Sequence, residues 1–289
     1  MKKLLKLRFN NKDAIFENGK IFTDILPKPI IVDKVFDDES YLCHYVNGEK
    51  VYLKKTDRGD YYTNLFGKVI DPYCFISEKL DSIFCLVSRN ANTSIVLSAL
   101  YAGGLIELKN YSNDTFLWHD EKLLNYCHRN GLIKKLSEIK NFKIFKHRYI
   151  VFDEPIKRFI RALNKILIDP SLLKVNENLK KKGNEKDFID EMLYFSNLCE
   201  NDEHFIWERH LGLQTTYLND CLNYHKNWEI IKLSELPTWW ESSFGSMWLK
   251  NNVSNPSQRR LTLESFNEEQ KEKMLNYLKK DLDMWSQIE

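Results

Sequence analysis

From Met1 to about Asp71 the apolar positions fall in short runs, AIFENGKIF, PIIVDKVF, YLCHYVNGEKVYLKK and YYTNLFGKVI, each closed by turn-forming residues. Alternation of this kind puts one set of side chains on each face of an extended strand, so the first 71 residues are expected to form a small β-rich N-terminal segment. Asn47 and Gly48, between YLCHYV and KVYL, carry the strongest hairpin signal, because both tolerate the positive φ of a tight turn. After Pro72 the texture changes. Ser82 to Val87 is a continuous apolar run suited to a buried strand, and Thr93 to Tyr101 is a short helix closed by Gly103 and Gly104. Glu121 to Ile139 is expected to be helical, and Tyr149 to Phe152 is a second core strand. Pro155 opens a helix in which Ile156, Phe159, Ile160, Leu163, Ile166 and Leu167 repeat at helical spacing. Beyond the polar break LKKKGNEK, Asp187 to Cys199 is amphipathic, Trp228 to Leu233 is a third strand, and Asn267 to Trp285 is a terminal helix. Strands alternating with helices predict an α/β domain with a central parallel sheet over residues 72–289.

Composition adds limits. With 289 residues, 43% hydrophobic and 13% aromatic, the chain can bury a sizeable core. Its 43 basic and 41 acidic side chains leave a net charge of +2, so no whole-chain field favours nucleic acid or an anionic membrane, and any anion site must be local. The opening MKKLLKLRFNNKD holds only a broken apolar run, shorter than a signal peptide or a membrane span requires; a cytoplasmic location is expected. Six cysteines stand far apart with no C-x-x-C pair, which favours buried free thiols over a zinc knuckle or a redox motif. Three N-x-[ST] triplets, at Asn92, Asn113 and Asn252, need no role in a chain without a secretory signal.

The segment SRNANTS, Ser88 to Ser94, lies directly between a buried strand and a helix. An anion bound there would meet the amides and dipole of the helix N-terminus, the hydroxyls of Thr93 and Ser94, and the guanidinium of Arg89. A polar loop that merely caps the helix has the same composition, and the G-x-x-x-x-G-K-[ST] pattern of Walker loops is absent. FCLVSRNANTSIVLSAL, however, resembles the first signature of the Golgi-type carbohydrate sulfotransferases and their bacterial relatives, a strand followed by P-K-x-A-G-T-S. Arg89 occupies the lysine place and Ala91, Thr93 and Ser94 coincide, while Ser88 replaces proline and Asn92 replaces glycine. The resemblance implies a P-loop-like three-layer core with a central parallel sheet. It also implies that Ser88, Arg89, Asn90, Ala91, Asn92, Thr93 and Ser94 hold the 5′-phosphosulfate of 3′-phosphoadenosine 5′-phosphosulfate.

YIVFDEPIKRFIRAL resembles the family's second signature, R-D-P-x-x-R-x-x-S, which binds the donor's 3′-phosphate. Pro155 and Arg158 match; Asp153 stands where the family has arginine and Arg161 where it has serine. Arg158 and Arg161 lie one helical turn apart and can share a face, although a solvated basic face reads the same way. DEHFIWERH is similar to the family's D-x-H-F-x-P-Q, which makes His204 the implied base for an acceptor hydroxyl, with His119 in reserve. Asn252 and Ser254 fit a late donor-side loop, and Asp281 and Trp285 a structural close. The implied activity is transfer of a sulfonate to a hydroxyl of a glycan or related small acceptor, without a metal, with Arg89 stabilising the transferring group. The other reading is a binding protein with a degraded donor site, which Asp153 favours; a kinase-like transferase lacks its Gly-Lys-Ser/Thr. Trp239, Trp240 and Trp248 are available either to stack on sugar rings or to fill the core.

Overall fold

Residues 2–7, 12–23, 28–65, 71–107, 120–168, 179–202, 209–249 and 260–288 are described in the computed structural model. Seven strands open the chain: β1 (Lys2–Leu7), β2 (Lys12–Glu17), β3 (Lys20–Thr23), β4 (Ile30–Val35), β5 (Tyr41–His44), β6 (Lys50–Lys55) and β7 (Tyr61–Leu65). They form an antiparallel meander that closes into a barrel. The turns are local and sequence-encoded. Asn18 and Gly19, both at positive φ, join β2 to β3 in a two-residue hairpin, and Asn47-Gly48 turns β5 into β6 with Gly48 N–H donating to the Tyr45 carbonyl at 2.8 Å. Seven is odd, so β1 and β7 run the same way, and the barrel closes on a parallel contact in which Leu7 faces Tyr61. Alternation sorts the side chains: Leu5, Leu7, Ala14, Ile21, Ile30, Cys43, Val51 and Leu53 fill the interior, while Leu4 and Lys6 point outward.

The chain divides into two compact units. One comprises Met1–Val69, Leu163–Leu211 and Leu261–Tyr277, and the other Ile70–Ala162, Gly212–Arg260 and Leu278–Glu289. In the first, Tyr62, on the outer side of the barrel, packs on Tyr194 and Phe195 of α4 (Glu185–Asn201) and donates its hydroxyl to buried Glu191. Lys54 pairs at 2.7 Å with Asp202, the C-cap of the same helix.

The second unit is built on a sheet of β8 (Tyr73–Ser77), β9 (Ser82–Cys85), β10 (Ile133–Lys135), β11 (His147–Phe152) and β12 (Glu229–Lys232), in the order β10-β8-β9-β11-β12. β9, β11 and β12 pair in parallel and β10 points the same way, but β8, between β10 and β9, is antiparallel to both its neighbours, so the sheet is mixed. This overturns the expected P-loop-like three-layer core with a central parallel sheet and a small β-rich segment before it: the structure has a closed seven-stranded barrel plus a mixed sheet. Two short-range features produce the difference. A four-residue turn at 78–81 folds β8 straight back on β9, and so short a link permits only antiparallel pairing. Gly131, at positive φ, ends α2 (Asp120–Arg129), so the predicted helix from Glu121 to Ile139 gives way to β10.

α1 (Asn92–Ala102) is buried along its whole middle, from Ser94 to Leu100, which explains its nearly unbroken apolar sequence. The hydroxyl of Ser98, fully buried on this helix, accepts from the Leu249 amide at 2.8 Å. α3 (Pro155–Ile168) carries the predicted stripe, with Phe159, Leu163, Ile166 and Leu167 buried, and Glu154 accepts from the Ile156 and Lys157 amides at its start. α5 (Gln214–Tyr224), α6 (Leu236–Phe244) and α7 (Glu268–Gln287) complete the chain. No helix among the described residues is long and apolar enough to cross a membrane.

Candidate functional site

β9 and β11 are parallel neighbours, with Cys85 opposite Ile150, so their carboxyl ends open side by side. From β9 the chain runs through Leu86–Ala91 into α1. Arg89 (φ 72) and Ala91 (φ 58) both lie in the left-handed region, where side chains with a Cβ are uncommon. The glycine place of the resembling signature, Asn92, is not where positive φ is needed: Asn92 is already helical, and Ala91 before it makes the turn. The N-cap residue, Ala91, has no side chain that could cap α1, and no acidic residue occupies the first turn. Helix N-terminal amides have no intrahelical partners, and this end of α1 adds the positive pole of an 11-residue helix.

A buried polar network fixes the loop from behind. Asn90 is fully buried, and its Nδ2 donates to the Val151 carbonyl and to Gln214 Oε1, both at 2.6 Å. Gln214, equally buried, accepts from the Asp153 amide at 2.8 Å and returns a bond from Nε2 to the Asp153 carbonyl at 2.9 Å. Its side chain thus pairs with the end of β11 as a strand backbone would. Asp281 in turn caps α5, accepting from the amides of Gln214 and Thr215 and from the Thr215 hydroxyl, each at 2.8 Å.

The two arginines of the second signature are placed differently from one another. Arg158 is 1% exposed; its Nε donates to the Ser88 carbonyl at 3.0 Å and its Nη1 to the Gly212 carbonyl at 2.7 Å. Among the described residues Nη2, also buried, has no hydrogen-bond partner. A full positive charge is thereby held in the protein interior and tied to the first residue of the loop. Arg161 forms an ion pair with Asp153, so the carboxylate that departs from the family pattern is neutralised by the arginine that also departs from it. Tyr217 reaches Ser88 Oγ at 3.4 Å from α5.

The structure therefore brings Ser88, Arg89, Asn90, Ala91, Asn92, Thr93 and Ser94 together with Arg158 in direct contact, and links Arg161 to them through Asp153 and Gln214. His204, the reserve His119, Asn252 and Ser254 lie outside the described residues. Trp240 is fully buried in the core, with Trp239 and Trp248 packed against it, which is the core-filling use. Sequence reasoning passed over Gln214, whose only trace is a polar break, QTT, inside the apolar context LGLQTTYL. Comparison with known protein families, with curated proteins and with solved structures finds no match to this chain.

Proposed function

We propose that the chain binds the phosphosulfate end of 3′-phosphoadenosine 5′-phosphosulfate at the loop Ser88–Ser94 and transfers its sulfonate to a hydroxyl of a glycan or related small acceptor. The observation that carries this reading is the buried Arg158 guanidinium bonded to Ser88, behind the N-terminus of α1, whose N-cap residue is an alanine. A buried cation without a carboxylate partner among the described residues raises the potential of the loop in front of it, and the helix end adds oriented dipoles, so the net field there favours an anion. In the transfer, the bond between sulfur and the bridging oxygen of the donor breaks and a bond from the acceptor oxygen to sulfur forms. The hydroxyl proton passes to His204, 3′-phosphoadenosine 5′-phosphate leaves, and Arg89 takes up charge on the sulfonate oxygens. Arg158 acts from within the fold as an electrostatic support and brace, not as a surface contact. A cytoplasmic setting belongs to the same proposal, supported by six cysteines that are all free.

The Asp153–Arg161 ion pair favours a second reading. With Arg161 neutralised by Asp153 and Arg158 buried behind the loop, neither of the two proposed cations is left to meet the 3′-phosphate, as in a binding protein that keeps the loop without turning over the donor. Calorimetry with 3′-phosphoadenosine 5′-phosphate and with pyrophosphate separates the cases. Binding of both, with Arg89→Ala abolishing turnover and His204→Ala sparing binding, supports the transferase. Binding without any turnover supports the second reading, and no binding of either at millimolar concentration eliminates both.

A further inference from the structure

The far end of α1 borders a cavity of about 510 Å³ lined by Tyr101, Ala102, Gly104, Ile106, Glu107 and, from the end of α6 onward, Phe244, Gly245, Ser246 and Met247. That volume is in the range of small-molecule sites. Along α1 the nearest lining residue, Tyr101, stands about 10 Å from Ser94, seven helical residues at 1.5 Å each, so the cavity and the loop sit at opposite ends of the helix. Its aromatic wall is preformed: Phe244 is held by Trp239 at 5.6 Å and Trp240 at 4.7 Å between ring centres. Gly245, at positive φ, presents open space where a Cβ would stand.

Glu107 in the lining is already engaged by another group, and two further polar features give the cavity a chemical preference. Lys79 Nζ lies 3.0 Å from the point a Cβ on Gly104 would occupy, which puts an ammonium with no acidic partner among the described residues at the cavity's lip. Ser246 holds its hydroxyl oxygen buried and without a hydrogen-bond partner among the described residues. A buried hydroxyl left in that state costs on the order of 1–3 kcal/mol, and rotation about its single side-chain torsion redirects it toward the space its residue lines. Aromatic and aliphatic walls, one cation at the rim and one hydroxyl in search of a partner suit a flat apolar body with a carboxylate at one end and a polar group at the other.

We infer that this cavity is a binding site for a compact aromatic carboxylate, its ring between Tyr101 and Phe244, its carboxylate on Lys79 and its second polar group on Ser246. The site is independent of the proposed donor loop. Ligand-observed NMR titration of the full chain with 4-hydroxybenzoate, and with 4-hydroxybenzamide as its neutral counterpart, tests it. Saturable binding is expected, with the carboxylate favoured over the amide by about fivefold, as one partly exposed charge pair provides. Lys79→Gln should erase that preference, and Ser246→Ala should weaken both probes about threefold or more. Either an absence of saturable binding up to tens of millimolar or binding indifferent to both substitutions overturns the assignment. Tighter binding of tyramine than of 4-hydroxybenzoate does so as well, since it would make Glu107 the dominant charge.

Discussion

Replacing Asn90 by alanine removes the two 2.6 Å bonds that tie the loop to β11 and to Gln214. Gln214 Oε1 keeps the Asp153 amide as a donor, so the group left worst off is the Val151 carbonyl. An orphaned buried carbonyl costs about 1–3 kcal/mol and a lost neutral bond about 1 kcal/mol. Against this, the substitution also deletes Asn90 Oδ1, itself buried and without a partner among the described residues, which returns part of the loss. The net expectation is a destabilisation of about 2 kcal/mol. Asn90→Asp keeps the shape but turns an acceptor toward the Val151 carbonyl and Gln214 Oε1, so it should cost more than alanine. Urea unfolding followed by tryptophan fluorescence reads the right part of the chain, because, among the described residues, Trp228, Trp239, Trp240, Trp248 and Trp285 all belong to the unit that contains Asn90. A loss under about 0.5 kcal/mol for alanine, or an aspartate variant as stable as the alanine one, would refute the argument that hydrogen bonding holds the loop.

Three further outcomes are expected. Burial, and then the neighbouring Asp71 carboxylate, push Asp220 up to about 6, so the folded state holds a proton that the unfolded chain releases between about pH 4 and 6, and stability falls as pH rises through that window. At face value the displacement is worth about 3 kcal/mol, which solvent screening of a half-buried group reduces to about 1–2 kcal/mol. Asp220→Asn should therefore gain that much at pH 7.5 and nothing near pH 4, and an equal gain at both values in urea titrations would dispose of the explanation. Ala91→Gly relieves a left-handed residue, and after subtracting the added freedom of the unfolded chain should stabilise by up to about 1 kcal/mol, read as a shifted urea midpoint; a destabilised variant would contradict the backbone assignment. Gly48→Ala meets no atom within 4 Å, so any loss comes from φ +84 alone, about 1–2 kcal/mol in thermal unfolding of the barrel; a neutral result would mean the turn adopts another form.

The features legible in the sequence are those written within a dozen neighbouring residues. Asn47-Gly48 fixed its own hairpin, Pro155 and the 3.6-residue stripe fixed α3, and the apolar run followed by SRNANTS marked β9, its loop and α1. What escaped depends on partners far away in the chain. Barrel closure joins residue 7 to residue 61, and nothing in KKLLKL says which strand it will meet. The brace behind the loop joins Asn90 to Gln214 and Gln214 to Asp281, amide and carboxylate complementarity that leaves no periodic trace. Asp153 and Arg161, each a departure from the resembling pattern when read alone, make sense only as a pair.

The parallel closing contact of the barrel also dictates how the chain passes through it. Because β1 and β7 point the same way and the end of β1, Leu7, faces the start of β7, Tyr61, the residue that begins β1 and the residue that ends β7 stand at opposite rims, offset along the strands by about nine residues, about 30 Å. An eight-stranded meander would bring its two ends to one rim, where a short turn could join them. Here a circular permutation that reconnects them needs a linker of at least about nine extended residues laid along the outside. Gaining or losing one strand would reverse the exit, so the odd count makes the barrel a conduit that receives the polypeptide at one rim and delivers it at the other.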